Sequence, residues 1–136
     1  MIRWFHRANV PEKDARVIED AWTRYDGVEC DVRFTADHVP VVVHDVLEEE
    51  DTWEDVEMTG VQRLVDAMAK WTADPARKRT IMIEVKAVSC VEDEEALCEA
   101  LQRFPDRLED VVVASFDETF LARWEVTSVM YLTCNC

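Results

Sequence analysis

The sequence predicts an α/β domain built on a parallel sheet. Two observations predict it: short apolar runs alternate with amphipathic stretches of helical period along the chain, and 136 residues suffice for one domain with a sizeable core. Ile2 to His6 reads as the first strand. Pro11-Glu12 opens a helix whose Val17, Ile18, Ala21, Trp22 and Tyr25 share one face, and Gly27 stops it. Val28 to Val32 is the second strand. Ala36-Asp37-His38 forms a turn, and Val39 to His44 is a third extended segment. Glu48 to Glu57 is acidic, with only Trp53 and Val56 apolar, and reads as a solvated loop. Gly60 precedes a helix carrying Val61, Leu64, Val65, Met68 and Trp71, which Asp74-Pro75 breaks. Thr80 to Lys86 is a strand, and Asp93 to Phe104 a helix with Ala96, Leu97, Ala100, Leu101 and Phe104 inward. Val111 to Ser115 is a strand, Asp117 to Trp124 a short helix, and Val126 to Leu132 the last strand. Such alternation builds βαβ units.

Composition removes several functional classes. The chain carries 30 acidic and 15 basic side chains, a net charge of -15. A nucleic-acid footprint needs clustered Lys and Arg, so nucleic acid is not an expected partner. An anionic membrane surface is disfavoured for the same reason. With Gly27 and Gly60 as the only glycines, there is no Gly-rich phosphate loop of the P-loop or dinucleotide-binding kind. The cysteines are Cys30, Cys90, Cys98, Cys134 and Cys136. Their odd number and irregular spacing are not a disulfide framework, and without Cys-x-x-Cys no structural zinc motif is legible. Reduced thiols, no signal peptide and no run of ~20 apolar residues predict a cytoplasmic protein without a membrane span. Trp22, Trp71, Phe104, Phe120 and Trp124 sit at helix-face spacing and are expected in the core. The Cys134-Asn135-Cys136 tail reads as a chain end.

The strands carry charge on one face. Side chains alternate along a strand, so Glu29 and Asp31 share a side opposite Val28, Cys30 and Val32. Glu84 and Lys86 likewise oppose Ile81, Ile83 and Val85. Charges held away from water must be paired or bind a metal, and parallel α/β sheets place their sites at the strand C-terminal ends. Two readings follow: a polar face that is simply wet, or a hard-cation site with a phosphate neighbour. His6 and His44, each at a strand end on the side where the carboxylates gather, favour the second.

In this order, the residues resemble the glycerophosphodiester phosphodiesterase family. The resemblance rests on His6-Arg7, Pro11-Glu12, Glu29-Cys30-Asp31-Val32, Thr35-Ala36-Asp37, Val41-Val42-Val43-His44-Asp45, Ile83-Glu84-Val85-Lys86 and Ser115-Phe116-Asp117. It spans nearly the whole chain. It implies a TIM-barrel fold, and a single domain over residues 1–136. It further implies Glu29, Asp31 and Glu84 as ligands of one divalent cation, Mg²⁺ or Ca²⁺, with His6 and His44 as the acid–base pair. Arg7 and Lys86 would contact the phosphate. The implied reaction cleaves a small-molecule glycerophosphodiester to an alcohol and glycerol phosphate, the neighbouring glycerol hydroxyl attacking first. Ala8 and His38 stand where the family has Gly, and Lys13-Asp14 replaces its Asn-Thr.

A closed (β/α)₈ barrel takes about 200 residues or more, so the expectation is a truncated, TIM-barrel-like half-barrel. It would have about five parallel strands plus a hairpin segment, and would lack the second half of the barrel. Its open apolar edges, Ile2, Trp4 and Phe5 at one side and Val126, Val129, Met130, Tyr131 and Leu132 at the other, predict a homo-oligomer, most simply a two-fold dimer. Two alternatives to the hydrolase remain: a non-catalytic descendant that binds or assembles, and a phospholipid-cleaving relative similar to sphingomyelinase D.

Overall fold

A computed structural model describes residues 3–128. In chain order the elements are β1 (Trp4–Phe5), α1 (Ala15–Arg24), β2 (Gly27–Phe34), β3 (Pro40–Val42), α2 (Trp53–Glu57), β4 (Gln62–Arg63) and α3 (Leu64–Trp71). They continue with β5 (Thr80–Val85), α4 (Val91–Gln102), a 3-10 turn over Pro105–Asp110, β6 (Val111–Ala114) and α5 (Glu118–Ser128). The strands β1, β2, β5 and β6 run parallel and neighbour one another in chain order. That winding is the one an α/β barrel uses; a doubly wound sheet would reverse it at a switch point. β3 folds back antiparallel on the C-terminal half of β2, above the stretch that β1 occupies, and β4 pairs antiparallel with β3. The sheet is open, with β6 at its edge among the described residues.

Alternation in β2 and β5 separates two faces. Val28, Cys30 and Val32 of β2, with Ile81, Ile83 and Val85 of β5, are buried on the outer face. The helices cover that face with Ile18 and Trp22 of α1, Leu64, Met68 and Trp71 of α3, Leu97 and Leu101 of α4, and Phe120 and Trp124 of α5. Trp22 and Trp71 stack with ring centroids 6.4 Å apart, joining α1 to α3. The expected aromatics are thus core residues, with Phe104 packed at the rim. A buried carboxylate joins two of the helices: Arg123 Nε of α5 donates to Glu94 Oε1 of α4 at 2.7 Å. Cys30, Cys90 and Cys98 are free thiols. No helix among the described residues is long and apolar enough to cross a membrane.

Several boundaries differ from the sequence expectation. Residues 11–13 form a turn, and α1 starts only after Asp14, whose carboxylate accepts from Arg16 N as an N-cap. Val17, placed on the inner face of that helix, is exposed. The acidic stretch 48–57 is not all loop. Thr52 and Asp55 form a capping box that nucleates α2, and Val56 anchors it in the interior. Residues 62–63 extend the sheet as β4 before α3 begins, because the hairpin edge offers them backbone partners. The expected last strand, Val126 to Leu132, is overturned at its start: residues 126–128 continue α5. The rest of that segment lies outside the described residues.

Gly27 is where the sheet tolerates no side chain. A Cβ there would lie 2.6 Å from the Thr80 carbonyl oxygen and 2.8 Å from the Trp4 ring. Gly27→Ala must therefore spread β2 from β5 or tilt Trp4. We expect a loss of about 1–3 kcal/mol in urea unfolding; an unchanged midpoint would show that this contact relaxes freely.

Candidate functional site

Parallel register brings the carboxylates together. Asp31 and Glu84 are direct partners across β2 and β5, and Glu29 lies one pleat earlier on the same face. Ligand oxygens of Glu29, Asp31 and Glu84 lie within 4.8 Å of one another. Asp31 is 1% exposed and Glu29 is buried, while Glu84 is half-buried. Burial raises the Glu29 carboxyl above its usual range, with Asp31 adding repulsion; the Arg7 backbone N–H opposes the rise. Lys86 follows β5 directly. Its ammonium donates to Glu84 Oε1 at 3.0 Å and lies 3.3 Å from Asp31 Oδ1, outside hydrogen-bonding geometry. Burial lowers the Lys86 pKa, but the Glu84 bond and the Asp31 charge outweigh it and raise the net value.

The fit to a cation rests on what these oxygens lack. Glu29 Oε1 is buried and accepts no hydrogen bond, an expensive state for a carboxylate oxygen, and Asp31 Oδ1, also buried, has only the Lys86 ammonium at 3.3 Å as a counter-charge. Three carboxylates and one ammonium leave two negative charges uncompensated within the cluster. A divalent oxygen-ligated ion matches both the charge and the donor set. Glu29, Asp31 and Glu84 are the residues that would hold it.

The loop after β1 frames the cluster. Ala8 N donates to the Glu29 carbonyl at 2.7 Å, extending the β1–β2 ladder into the loop. Arg7 takes a left-handed φ of 55°, and its N–H reaches Glu29 Oε2 at 2.9 Å. Lys13 holds this bend by donating to the carbonyls of His6 and Arg7. His6 itself is 71% exposed, with Nε2 3.6 Å from Glu29 Oε2. The Arg7 guanidinium bridges Glu12 Oε1 at 3.3 Å and His44 Nε2 at 2.9 Å. Since a guanidinium only donates, His44 Nε2 is the unprotonated nitrogen, and Nδ1–H points to Asp45 Oδ1 at 3.4 Å. His44 is positioned by its own carbonyl, which accepts from Arg33 Nε at 2.9 Å. All seven residues singled out in the sequence thus gather at the C-terminal end of the parallel strands.

Residues that pattern reading passed over complete the frame. Asn9 is buried and grips Asp31 twice: its Nδ2 donates to Asp31 Oδ2 at 2.9 Å, and its Oδ1 accepts from Asp31 N at 3.2 Å. The same Nδ2 reaches Glu12 Oε2 at 3.2 Å. Glu12, taken as a helix opener, is instead the carboxylate that orients Arg7 and Asn9. A polar Asn followed by Val-Pro, in a chain poor in turn glycines, is the signal that it has a structural partner. The two departures from glycine are also explained. Ala8 is fully buried in the core with a backbone φ that any residue adopts, so its methyl is accommodated. His38 sits at a left-handed φ of 63°, where glycine would be relaxed.

An open α/β sheet of barrel winding, with a carboxylate cluster and two histidines at the C-terminal ends of its parallel strands, defines a partial TIM barrel with an acidic site where such barrels place theirs. The profile of the glycerophosphoryl diester phosphodiesterase family matches residues 8–129. The chain belongs to that family. Among solved structures, a glycerophosphodiester phosphodiesterase from Agrobacterium tumefaciens superposes with a TM-score of 0.73 at 17% identity, covering 96% of this chain and 65% of that one. A glycerophosphodiester phosphodiesterase from Thermotoga maritima gives 0.62 at 20% identity, with 92% and 58% covered. An Oleispira antarctica phosphodiesterase, solved with the product sn-glycerol-3-phosphate, gives 0.62 at 18%, with 97% and 62% covered. The chain therefore spans less than two thirds of the length of these structures. No curated protein sequence matches it.

Asn9 offers a test of the frame. Asn9→Ala leaves the Asp31 N–H buried without its partner and removes a donor from the carboxylate. The expected cost is about 1–3 kcal/mol in equilibrium urea unfolding. A change within ~0.5 kcal/mol, as for ordinary surface positions, would mean that the amide does not hold Asp31.

Proposed function

We propose that this chain hydrolyses a glycerophosphodiester to an alcohol and glycerol phosphate, with one divalent cation, Mg²⁺ or Ca²⁺, on Glu29, Asp31 and Glu84. The observation that carries this reading is the convergence of three carboxylates in which Glu29 Oε1 is buried without a partner and Asp31 Oδ1, buried as well, has only the Lys86 ammonium 3.3 Å away. When bound, the cation draws charge from the phosphate oxygens. The remaining work falls to the chain. Arg7, between His44 and Glu12, turns from these partners to the phosphate, where its planar fork suits two oxygens. Lys86 stays paired with Glu84 and adds positive potential at the same side. His44 Nε2, which carries no proton while it accepts from Arg7, takes the proton of the glycerol hydroxyl neighbouring the phosphate. That oxygen bonds to phosphorus as the bond to the alcohol oxygen breaks. His6, open to solvent beside Glu29, gives the departing oxygen a proton. Water then opens the cyclic phosphate to glycerol phosphate.

One observation supports a second reading. Arg7 and Lys86, the two cations offered to a phosphate, are both already paired with carboxylates, Arg7 with Glu12 and Lys86 with Asp31 and Glu84. A descendant that keeps the site as a folding element without turnover would look the same. Hydrolysis of glycerophosphocholine, with and without Mg²⁺ or Ca²⁺, separates the two readings.

Two outcomes are expected. In chelator, Glu29→Gln should melt higher than the parent chain, because it removes one of the repelling carboxylates while its amide oxygen still accepts from Arg7. In Mg²⁺ or Ca²⁺ the parent should gain stability, about 2.7 kcal/mol at a hundredfold excess over Kd, and Glu29→Gln should gain far less. Calorimetric melts that respond to neither ion would remove the cation from the site. For catalysis, His6→Ala and His44→Ala should each lower turnover on the order of 10²–10⁴-fold while the ion-dependent rise in melting temperature persists. Near-parental turnover in either variant would remove that histidine from the chemistry.

A further inference from the structure

A second cluster lies apart from the carboxylate site. His38 comes from the turn between β2 and β3, and Cys90 and Asp93 from the start of α4, 52 and 55 residues further on. His38 Nδ1 lies 2.9 Å from Asp93 Oδ1 and 3.6 Å from Cys90 Sγ, and the three ligand atoms lie within 4.8 Å of one another. A tetrahedral zinc with ordinary Zn–N, Zn–O and Zn–S bonds would set N···S near ~3.5 Å and N···O near ~3.3 Å. The observed N···S distance already matches, and the N···O distance needs only a few tenths of an ångström of opening.

The surroundings are those of a held ligand set. Asp93 is 2% exposed. Its Oδ2 is taken by the Ser89 N–H at 3.1 Å and the Ser89 hydroxyl at 3.0 Å, which fixes the carboxylate and turns Oδ1 toward His38. Outer partners of this kind orient metal ligands. His38 sits at a left-handed φ of 63° in the turn that presents its imidazole to Cys90 and Asp93. An open cleft of about 330 Å³, bordered by His38, Ser89 and Asp93, gives a hydrated ion a way in.

We propose that His38, Cys90 and Asp93 form a site for a borderline-soft divalent ion of the zinc type. One nitrogen, one sulfur and one oxygen donor select zinc or cobalt over Mg²⁺ and Ca²⁺, which take oxygen alone. Three protein ligands leave a fourth position to water. Binding releases two protons to solvent, the one on His38 Nδ1 and the one on the Cys90 thiol, and the ion clasps the β2–β3 turn to the loop that runs from Lys86 into α4. The chain thus sorts two ion chemistries onto two separate sites.

The test is a Co²⁺ titration of the full reduced chain carrying Cys134→Ser and Cys136→Ser, followed by absorption. One equivalent should give a near-ultraviolet thiolate-to-cobalt band with intense visible bands of four-coordinate cobalt. Zn²⁺ should displace both, and excess Mg²⁺ should not. Cys90→Ser should abolish the sulfur band. His38→Asn, which tolerates the left-handed turn, should weaken Co²⁺ binding about 100-fold with unchanged far-ultraviolet circular dichroism. Glu29→Gln should leave the band intact, which separates this site from the carboxylate cluster. Absence of a sulfur band in the parent chain would overturn the proposal, as would a band that survives Cys90→Ser or an affinity untouched by His38→Asn.

Discussion

Asp31 and Glu84 lie side by side on two neighbouring parallel strands, with Glu29 one pleat away, and this arrangement of buried negative charge constrains the rest of the molecule. Carboxylates in a protein interior repel one another and lose their hydration, so each needs a donor or a cation. The chain supplies donors from three directions. Lys86 follows the strand that bears Glu84, Arg7 N–H descends from the end of β1, and Asn9 brackets Asp31 through both ends of its amide. Glu29 Oε1 is left without a donor and Asp31 Oδ1 has only the Lys86 ammonium 3.3 Å away; a hard cation would use both.

The same pleat that gathers the carboxylates builds the core. Every second residue of β2 and β5 faces helices α1, α3, α4 and α5 and is apolar; the residues between them face the site. A shift of pairing by one residue would exchange the two sets and put Glu29 and Asp31 against Trp22 and Leu97. Site geometry and core packing are therefore a single constraint on register. Gly27 reinforces it, because only a hydrogen fits between the Thr80 carbonyl and the Trp4 ring at the strand's entry.

The loop after β1 shows how a site can be sustained on altered residues. Ala8 fills a buried position with a methyl group that the core accepts, and Lys13 ties down the carbonyls of His6 and Arg7. Glu12 serves two donors at once. None of these is a ligand in the carboxylate cluster, yet Arg7 and His44 take their positions from them.

By itself the sequence determined the alternation of strands and helices, the two faces of β2 and β5, the aromatic core and the family. It also determined that His6, Arg7, Glu29, Asp31, His44, Glu84 and Lys86 belong together. All of these are written in local period or in motif order, and a strand's side-chain alternation does not depend on what surrounds it. Tertiary structure decided what local pattern cannot carry. It set α1 to start after Asp14 instead of at Pro11, nucleated α2 inside an acidic stretch, drew residues 62–63 into the sheet, and continued α5 through residues where a strand was expected. It alone joined Asn9 to Asp31, and His38 to Cys90 and Asp93. Those partners are separated by tens of residues with no repeating interval. Only the folding of the β2–β3 turn against the start of α4, and of the β1 loop over β2, brings them within reach.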